Sequence, residues 1–365
     1  MTKRIFSIII ILMIIFSTVW ASSNPNQVKA EVISIEKNPS FAGTDINNQL
    51  VKVRILEGKY KDQIITLERL IIEYSTHSYV LERGDTVLIE VYLENNSLQG
   101  SLINIWRVEQ LKTLGIIFLV SLIVFGRLKG VLSLTALIFS GFIIIKFLIP
   151  YILKGYNAVV LSIICAILIS VVSFILISGF TKKSLIAILG TIGGTVTAGI
   201  LSHIYINSTK ITGLASEDVM FIVSNLGIKL DYRGLYMGAI IIGTIGVVMD
   251  VSMSITSSIF EIKSQSPNIK FGGLLQSGLK IGKDVMSTMV NTLVLAYVGS
   301  FMPLLIIYLS SNSSFLYSIN TELMAVEIIR SLCGSIGLIF TIPLTCFIAA
   351  YSVHNDNNKR RFPYK

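Results

Sequence analysis

Long apolar runs alternate with short polar connections over most of this chain, and one segment breaks the rhythm. After Lys3 and Arg4, positions 5–19 are almost entirely apolar. From residue 112 onward, apolar stretches recur at 112–127, 130–150, 157–180, 184–206, 233–258, 285–310 and 324–352. Most approach the ~20 residues a helix needs to cross hydrocarbon. With the first run they make eight spans, and without it seven. That first run is short for a span, and Val19-Trp20-Ala21 offers a small-residue cleavage site. Residues 1–21 therefore read as a signal peptide or as a retained signal anchor, and both stay open.

Residues 22–110 follow another period. Windows 28–36, 49–57, 63–69, 86–93 and 101–108 are short, rich in Val, Ile and Leu, and partly alternating, which predicts strands. Gly43, Gly58, Arg83-Gly84-Asp85 and Asn95-Asn96 supply turns. Five such strands suit a small β-barrel, OB-like in size. OB-folds bind oligonucleotides or sugars, but this segment holds 9 Lys/Arg against 12 Asp/Glu. Its aromatics (Tyr60, Tyr74, Tyr79, Tyr92, Trp106) do not line up with basic residues. The reading favours a structural or partner-docking role over nucleic acid.

Composition agrees with the pattern. The chain is 53% hydrophobic and 14% charged, against about 25% charged in soluble domains, and its mean hydropathy is +0.74. The expected fold is a mainly α membrane protein: a polytopic bundle of 7–8 spans over residues 111–352, an extracytoplasmic β-domain before it and a basic tail at 353–365. A net charge of +9 could suggest a polyanion partner, but its placement points to membrane orientation. If residue 1 is cytoplasmic, inside segments hold Lys3, Arg4, Arg127, Lys129, Lys182, Lys183, Lys263, Lys270, Lys280, Lys283, Lys359, Arg360, Arg361 and Lys365. The outside connections hold Lys112, Lys154, Lys210, Lys229 and Arg233. This bias puts the β-domain outside and both termini inside. Two connections, 215–228 and the basic 271–281, are amphipathic enough to lie in the interface or pack on the bundle.

Little catalytic chemistry is visible. Cys165, Cys333 and Cys346 lie inside apolar runs, and His77, His203 and His354 are far apart. Residues 278–284 (GLKIGKD) lack the spacing and the Ser/Thr of a P-loop. The chain reads as no enzyme, with no cofactor and no metal.

One carboxylate stands out. Ala239, Gly243, Gly246, Asp250, Ser254, Ser257 and Glu261 recur every three or four residues, so one helix face is small at one end and polar at the other. A charge within a span costs ~2.5–3.5 kcal/mol on insertion scales. If the helix enters lipid near Leu235, Asp250 lies about 22 Å along it, in the cytoplasmic third. It is then a proton- or cation-binding group, or a helix-packing acceptor. Asp284, Thr288 and Asn291 form a face of the next span, with Thr292, Ala296 and Gly299 beside it; Asp284 reads as a helix cap. Gly190, Gly193, Gly194 and Gly199 make a helix-packing face, as do Gly243 and Gly246. Glu327 and Arg330, three apart, predict a structural ion pair, and His203 a packing residue.

Three motifs carry a family resemblance: residues 243–257 (GTIGVVMDVSMSITS), 282–299 (GKDVMSTMVNTLVLAYVG), and 327–338 (EIIRSLCGSIGL) followed by 342–345 (IPLT). Together they resemble the YibE/F family of multi-pass membrane proteins over roughly residues 110–352, with Cys333 where an aliphatic residue is expected. The resemblance implies the plasma membrane of a bacterium. A fainter, fold-level likeness links Asp250 and the Thr288–Asn291–Thr292 group to paired helices of the SecD/SecF and RND transporter group. Two functions follow as expectations. In one, the chain is a transporter or transport-coupled protein, with Asp250, Asn291, Thr288, Thr292, Ser254 and Ser257 on a proton or small-cation path. In the other, it is a non-transporting scaffold whose β-domain docks an envelope or export partner.

Overall fold

The computed structural model describes residues 26–38, 46–72, 81–94, 97–226, 231–311 and 314–356. The N-terminal apolar run and the basic tail lie outside them. The chain divides at Arg127 into two compact units.

The first unit holds five strands: β1 (Gln27–Asn38), β2 (Ile46–Ile55), β3 (Ile64–Ile72), β4 (Thr86–Glu94) and β5 (Ser97–Ile105). All five expected strands are present, β5 a few residues earlier than expected. Their order in the sheet is β3-β2-β1-β4-β5, with every pair antiparallel. The return of β4 beside β1 makes a Greek key. Alternate residues point inward, so Val28, Ala30 and Val32 meet Val51, Val53, Ile55, Ile65, Leu67, Val87, Ile89 and Val91 in one core. The barrel nearly closes where β5 approaches β3. There a Cβ on Gly100 would stand 2.8 Å from Ile65 Cδ1 and 3.1 Å from Leu67 Cδ2. Two basic residues do meet aromatics, against the sequence expectation: Lys29 Nζ lies 4.4 Å from the Trp106 ring centre and Lys59 Nζ 5.5 Å from that of Tyr60.

Helix α1 (Val108–Ile143) carries a non-helical residue, Arg127, with φ 49° and ψ −130°. A π-turn (Ile144–Leu148) and α2 (Ile149–Leu153) continue it. Then come α3 (Ala158–Ser178), α4 (Lys182–Ser208), α5 (Glu217–Leu226), α6 (Tyr232–Gln265), α7 (Phe271–Ser300), α8 (Met302–Ser310), α9 (Phe315–Ile319) and α10 (Glu322–Asp356). Five helical stretches among the described residues are long and apolar enough to cross a membrane. A sixth is added if α7 and α8, bent by 64°, count as one span. The expected seven or eight reduce to this number for two reasons. Stretches 112–127 and 130–150 run together into one 46-residue stretch, and the first apolar run is not described.

Two helices outrun their expected bounds. α6 continues to Gln265, and the basic segment 271–281 is the start of α7 rather than a separate surface helix. Asp284 therefore lies mid-helix, not at a cap. Buried Lys263 makes the connecting turn, its Nζ donating to the carbonyls of Pro267 (2.7 Å) and Ile269 (3.2 Å). At the other end of the bundle, the Glu322 carboxylate clasps the loop after α4. It accepts from the backbone N–H groups of Thr212 (2.9 Å) and Gly213 (2.7 Å) and from the Thr212 hydroxyl.

Glycines explain how the second unit nests. Helices in lipid gain no hydrophobic drive from association, so close backbone approach must supply the contact energy. A Cβ on Gly190 would strike Thr345 of α10, and one on Gly194 would strike Thr341 and come within 2.9 Å of the Gly337 carbonyl. Gly337 answers from α10, 2.8 Å from both Ala198 Cβ and the Gly194 carbonyl in the same sense. α4 and α10 thus meet nearly backbone to backbone, and both pack on α6. Gly278 and Gly282, the spacing rejected as a P-loop, seat α7 on Ile259 and Ile255 of α6 and on Cys346 and Ile342 of α10. Gly194→Ala should lower bundle stability by about 1–3 kcal/mol, the usual cost of overpacking. Gly141→Ala, which meets open space, should stay within about 0.5 kcal/mol. Thermal unfolding of both variants in one detergent checks the contrast.

Candidate functional site

α6 is enclosed on most of its circumference. Met237, Ile240, Ile241, Ile245, Val248, Val251, Ile255 and Ile259 are all buried. One stripe stays open within the unit: Ala239, Gly243, Gly246, Asp250, Ser254 and Glu261, with Ser257 half-buried. None of these is a large apolar residue. The open faces of other helices are different. α3 shows Val160, Ile164 and Leu168; α4 shows Leu185, Leu189, Ile200 and Ile204; α10 shows Leu332, Phe340 and Phe347. Those suit hydrocarbon, and the α6 stripe does not.

Asp250 makes no hydrogen bond and no ion pair among the described residues. The alternative of a helix-packing acceptor is not met within the unit, because Asp250 faces the open side. The reason is the helix period. Residues 248, 251, 252 and 255 take the inward positions, and 250 falls outside that arc. The packing glycines divide in the same way. Gly190 and Gly194 are tightly engaged, and Gly243 faces Tyr297 Oη, 2.9 Å from where its Cβ would stand. Gly246 and Gly299 meet nothing within 4 Å.

α7 borders this stripe. It buries only a ridge of Leu274, Gly278, Gly282 and Leu293. The antiparallel pairing of Ile259 with Gly278, Ile255 with Gly282 and Gly243 with Tyr297 sets Asp250 level with residues 287–290 of α7. Asp284, Thr288, Asn291 and Thr292 are exposed. Thr288 and Thr292 turn their hydroxyls back onto the carbonyls of Val285 (3.0 Å) and Thr288 (2.9 Å). Asn291 has no hydrogen-bond partner among the described residues. No direct contact joins Asp250 to Thr288, Asn291 or Thr292. They share a level, not a bond.

The other expected groups are located as follows. Arg330 donates to Glu327 at 3.0 Å on one oxygen and 3.2 Å on the other, with the side chains only 23% and 17% exposed. This ion pair forms as expected. Close by, Gly334 of α10 meets Thr244 Oγ1 at 3.1 Å and Tyr297 Oη at 3.9 Å from its would-be Cβ. His203 is exposed at the end of α4, its ring 3.4 Å from the Asn207 amide. The three cysteines are free and buried.

Sequence reasoning missed an inner polar seam. Thr191 and Thr195 on α4, Ser252 and Thr256 on α6, and Ser335 and Thr345 on α10 are buried with hydroxyl oxygens that lack partners. Thr345 and Ser252 both crowd the would-be Cβ of Gly190. The signal was present as Thr/Ser pairs four apart inside apolar helices, as in 191/195, 252/256 and 341/345. α6 therefore carries polar groups on two sides, hydroxyls inward and the carboxylate outward.

Several long apolar helices, nested through glycines and holding an ion pair and hydroxyls at depth, define a multi-pass membrane protein. More particularly, the chain belongs to the YibE/F-like protein family, whose pattern matches residues 114–355. That match takes in all three motifs, and so α6, α7 and α10. No curated protein and no solved structure matches the chain.

Removing one partner of the Glu327–Arg330 pair leaves a charge stranded in the bundle. Glu327→Gln should cost at least about 2 kcal/mol, somewhat below the ~3–5 kcal/mol for a fully buried pair. Glu327→Leu combined with Arg330→Met should recover most of that loss. Melting temperatures of the two variants in detergent test the sign.

Proposed function

We propose that this protein is a transporter or transport-coupled protein of the plasma membrane in which Asp250 takes up a proton or a small cation. One observation carries the reading. Asp250 is an unpaired carboxylate within the span, on the α6 stripe that lacks large apolar side chains. A structural carboxylate at that depth gains from a fixed partner, as Glu327 does with Arg330. One without a partner is available to a mobile cation. Asn291, Thr288 and Thr292 border the same level and supply neutral oxygens. Ser254 and Ser257 continue the path toward the cytoplasm.

The orientation belongs to this proposal. Counting the 46-residue stretch as two crossings, one on each side of Arg127, and α7 with α8 as one, gives seven. With the N-terminal run there are eight. Both termini are then cytoplasmic and the OB-like β-unit faces outward, in line with the Lys/Arg bias of the connections. The open position of the stripe favours a second reading, a scaffold that holds an envelope or export partner without moving a solute.

Proton flux into proteoliposomes after a pH jump separates the two. The wild type should exceed protein-free vesicles, and Asp250→Asn should fall to background while keeping its helical circular dichroism. Background flux from both folded proteins would leave the scaffold.

A further inference from the structure

We infer that a second copy of this chain covers the open stripe of α6 and the exposed side of α7, completing the surroundings of Asp250. The inference deepens the transport reading but rests on packing and charge alone. The starting point is an imbalance. Gly246 and Gly299 meet open space, although Gly190, Gly194, Gly278, Gly282 and Gly337 are spent on close helix approach. Asn291 and Thr292 lie about level with Gly246, and Asp250 and Thr288 lie one turn beyond it toward the start of α7, all exposed within the unit. Lipid offers these groups no hydrogen bonds. A protein surface with small residues and polar side chains at the same depth does.

The pattern fits this chain itself. Membrane insertion fixes every copy in the same orientation, so a two-fold axis along the membrane normal brings each residue opposite groups at its own depth. The exposed side of α7 is self-complementary under that operation. Asn291 carries both donors and acceptor and can pair with Asn291 of the partner subunit. In the first half of α7, Lys280 and Lys283 lie beside Asp284, and Glu261 of α6 sits within the same end of the stripe. All four side chains are exposed, and none makes an ion pair among the described residues. Two cations and two carboxylates, unpaired within one copy, are balanced by a second. Because α6 and α7 run antiparallel with Asp250 level with residues 287–290, the partner subunit's Thr288 and Asn291 then approach the carboxylate that has no partner in its own chain.

Cysteine cross-linking in native membranes tests this with the full chain. Cys165, Cys333 and Cys346 are replaced by Ala, and single cysteines are placed at Thr288, at Leu295 and, as a control, at Ile200 on the aliphatic face of α4. Copper-phenanthroline oxidation should give a covalent dimer at 288 and 295 and only background at 200. Differently tagged copies with native cysteines should co-purify from co-expressing cells, and Asn291→Leu should weaken that association roughly ten-fold, the worth of one interhelical amide pair in lipid. The co-purification arm covers the chance that the cysteine-free chain misfolds. Equal background at all three positions together with no co-purification overturns the inference. So does a cross-link from 288 or 295 to another protein. Dimers without proton flux keep the pairing and remove the transport reading. Flux from a chain that stays single removes the pairing alone.

Discussion

Hydrocarbon supplies no hydrogen bonds, and that constraint sorts the charged and amide side chains within the spans of the second unit. A charge or amide within a span is matched by a neighbour, turned toward water, or left for something outside the subunit. Glu327 and Arg330 take the first course, binding each other on adjacent turns of α10. Thr288, Thr292 and Thr341 return their hydroxyls to their own helix. Asp250 and Asn291 do neither. The functional question narrows to what those two meet.

Close backbone approach sets the geometry in which they are left over. Gly190 and Gly194 bring α4 onto Thr341, Thr345 and Gly337 of α10, and Gly278 and Gly282 bring α7 onto α6 and α10. With α6 held on most sides, its remaining open positions are fixed by a rotation of about 100° per residue. They fall on Gly243, Gly246, Asp250 and Ser254. A larger residue at any packing glycine would rotate or displace a helix and move the stripe with it. The same small residues that stabilise the bundle thus aim the carboxylate outward. The hydroxyl seam among α4, α6 and α10 runs along the opposite side of α6, so a change in how α4 sits would be felt on the Asp250 side through one rigid helix.

Much of this was legible in the sequence. The alternation in residues 28–105 gave five strands at nearly their true limits, and the Asp250 stripe was read as one helix face with its correct members. The Glu327–Arg330 pair was visible from spacing alone. What periodicity could not supply was which side of α6 its neighbours would occupy. A polar, small face reads the same whether it is enclosed or left open, because the choice depends on Ile240, Val248 and Ile255 finding partners on other helices. Asp284 was misplaced because the basic amphipathic segment 271–281 was read as a connection ahead of the span, yet α7 begins at Phe271 and runs through it. The seven or eight spans expected and the five or six long apolar helices differ partly at Arg127, where two expected spans run together through one residue with positive φ.

The central claim is that its own bundle leaves the Asp250 side of α6 open while the side two residues on is enclosed. Cysteine accessibility along this helix tests it most directly. Single cysteines at 250, 252, 254 and 256 are exposed to a water-soluble thiol reagent in intact membranes. The account requires faster labelling at 250 and 254 than at 252 and 256. Labelling in the reverse pattern, or equal protection at all four, would contradict it.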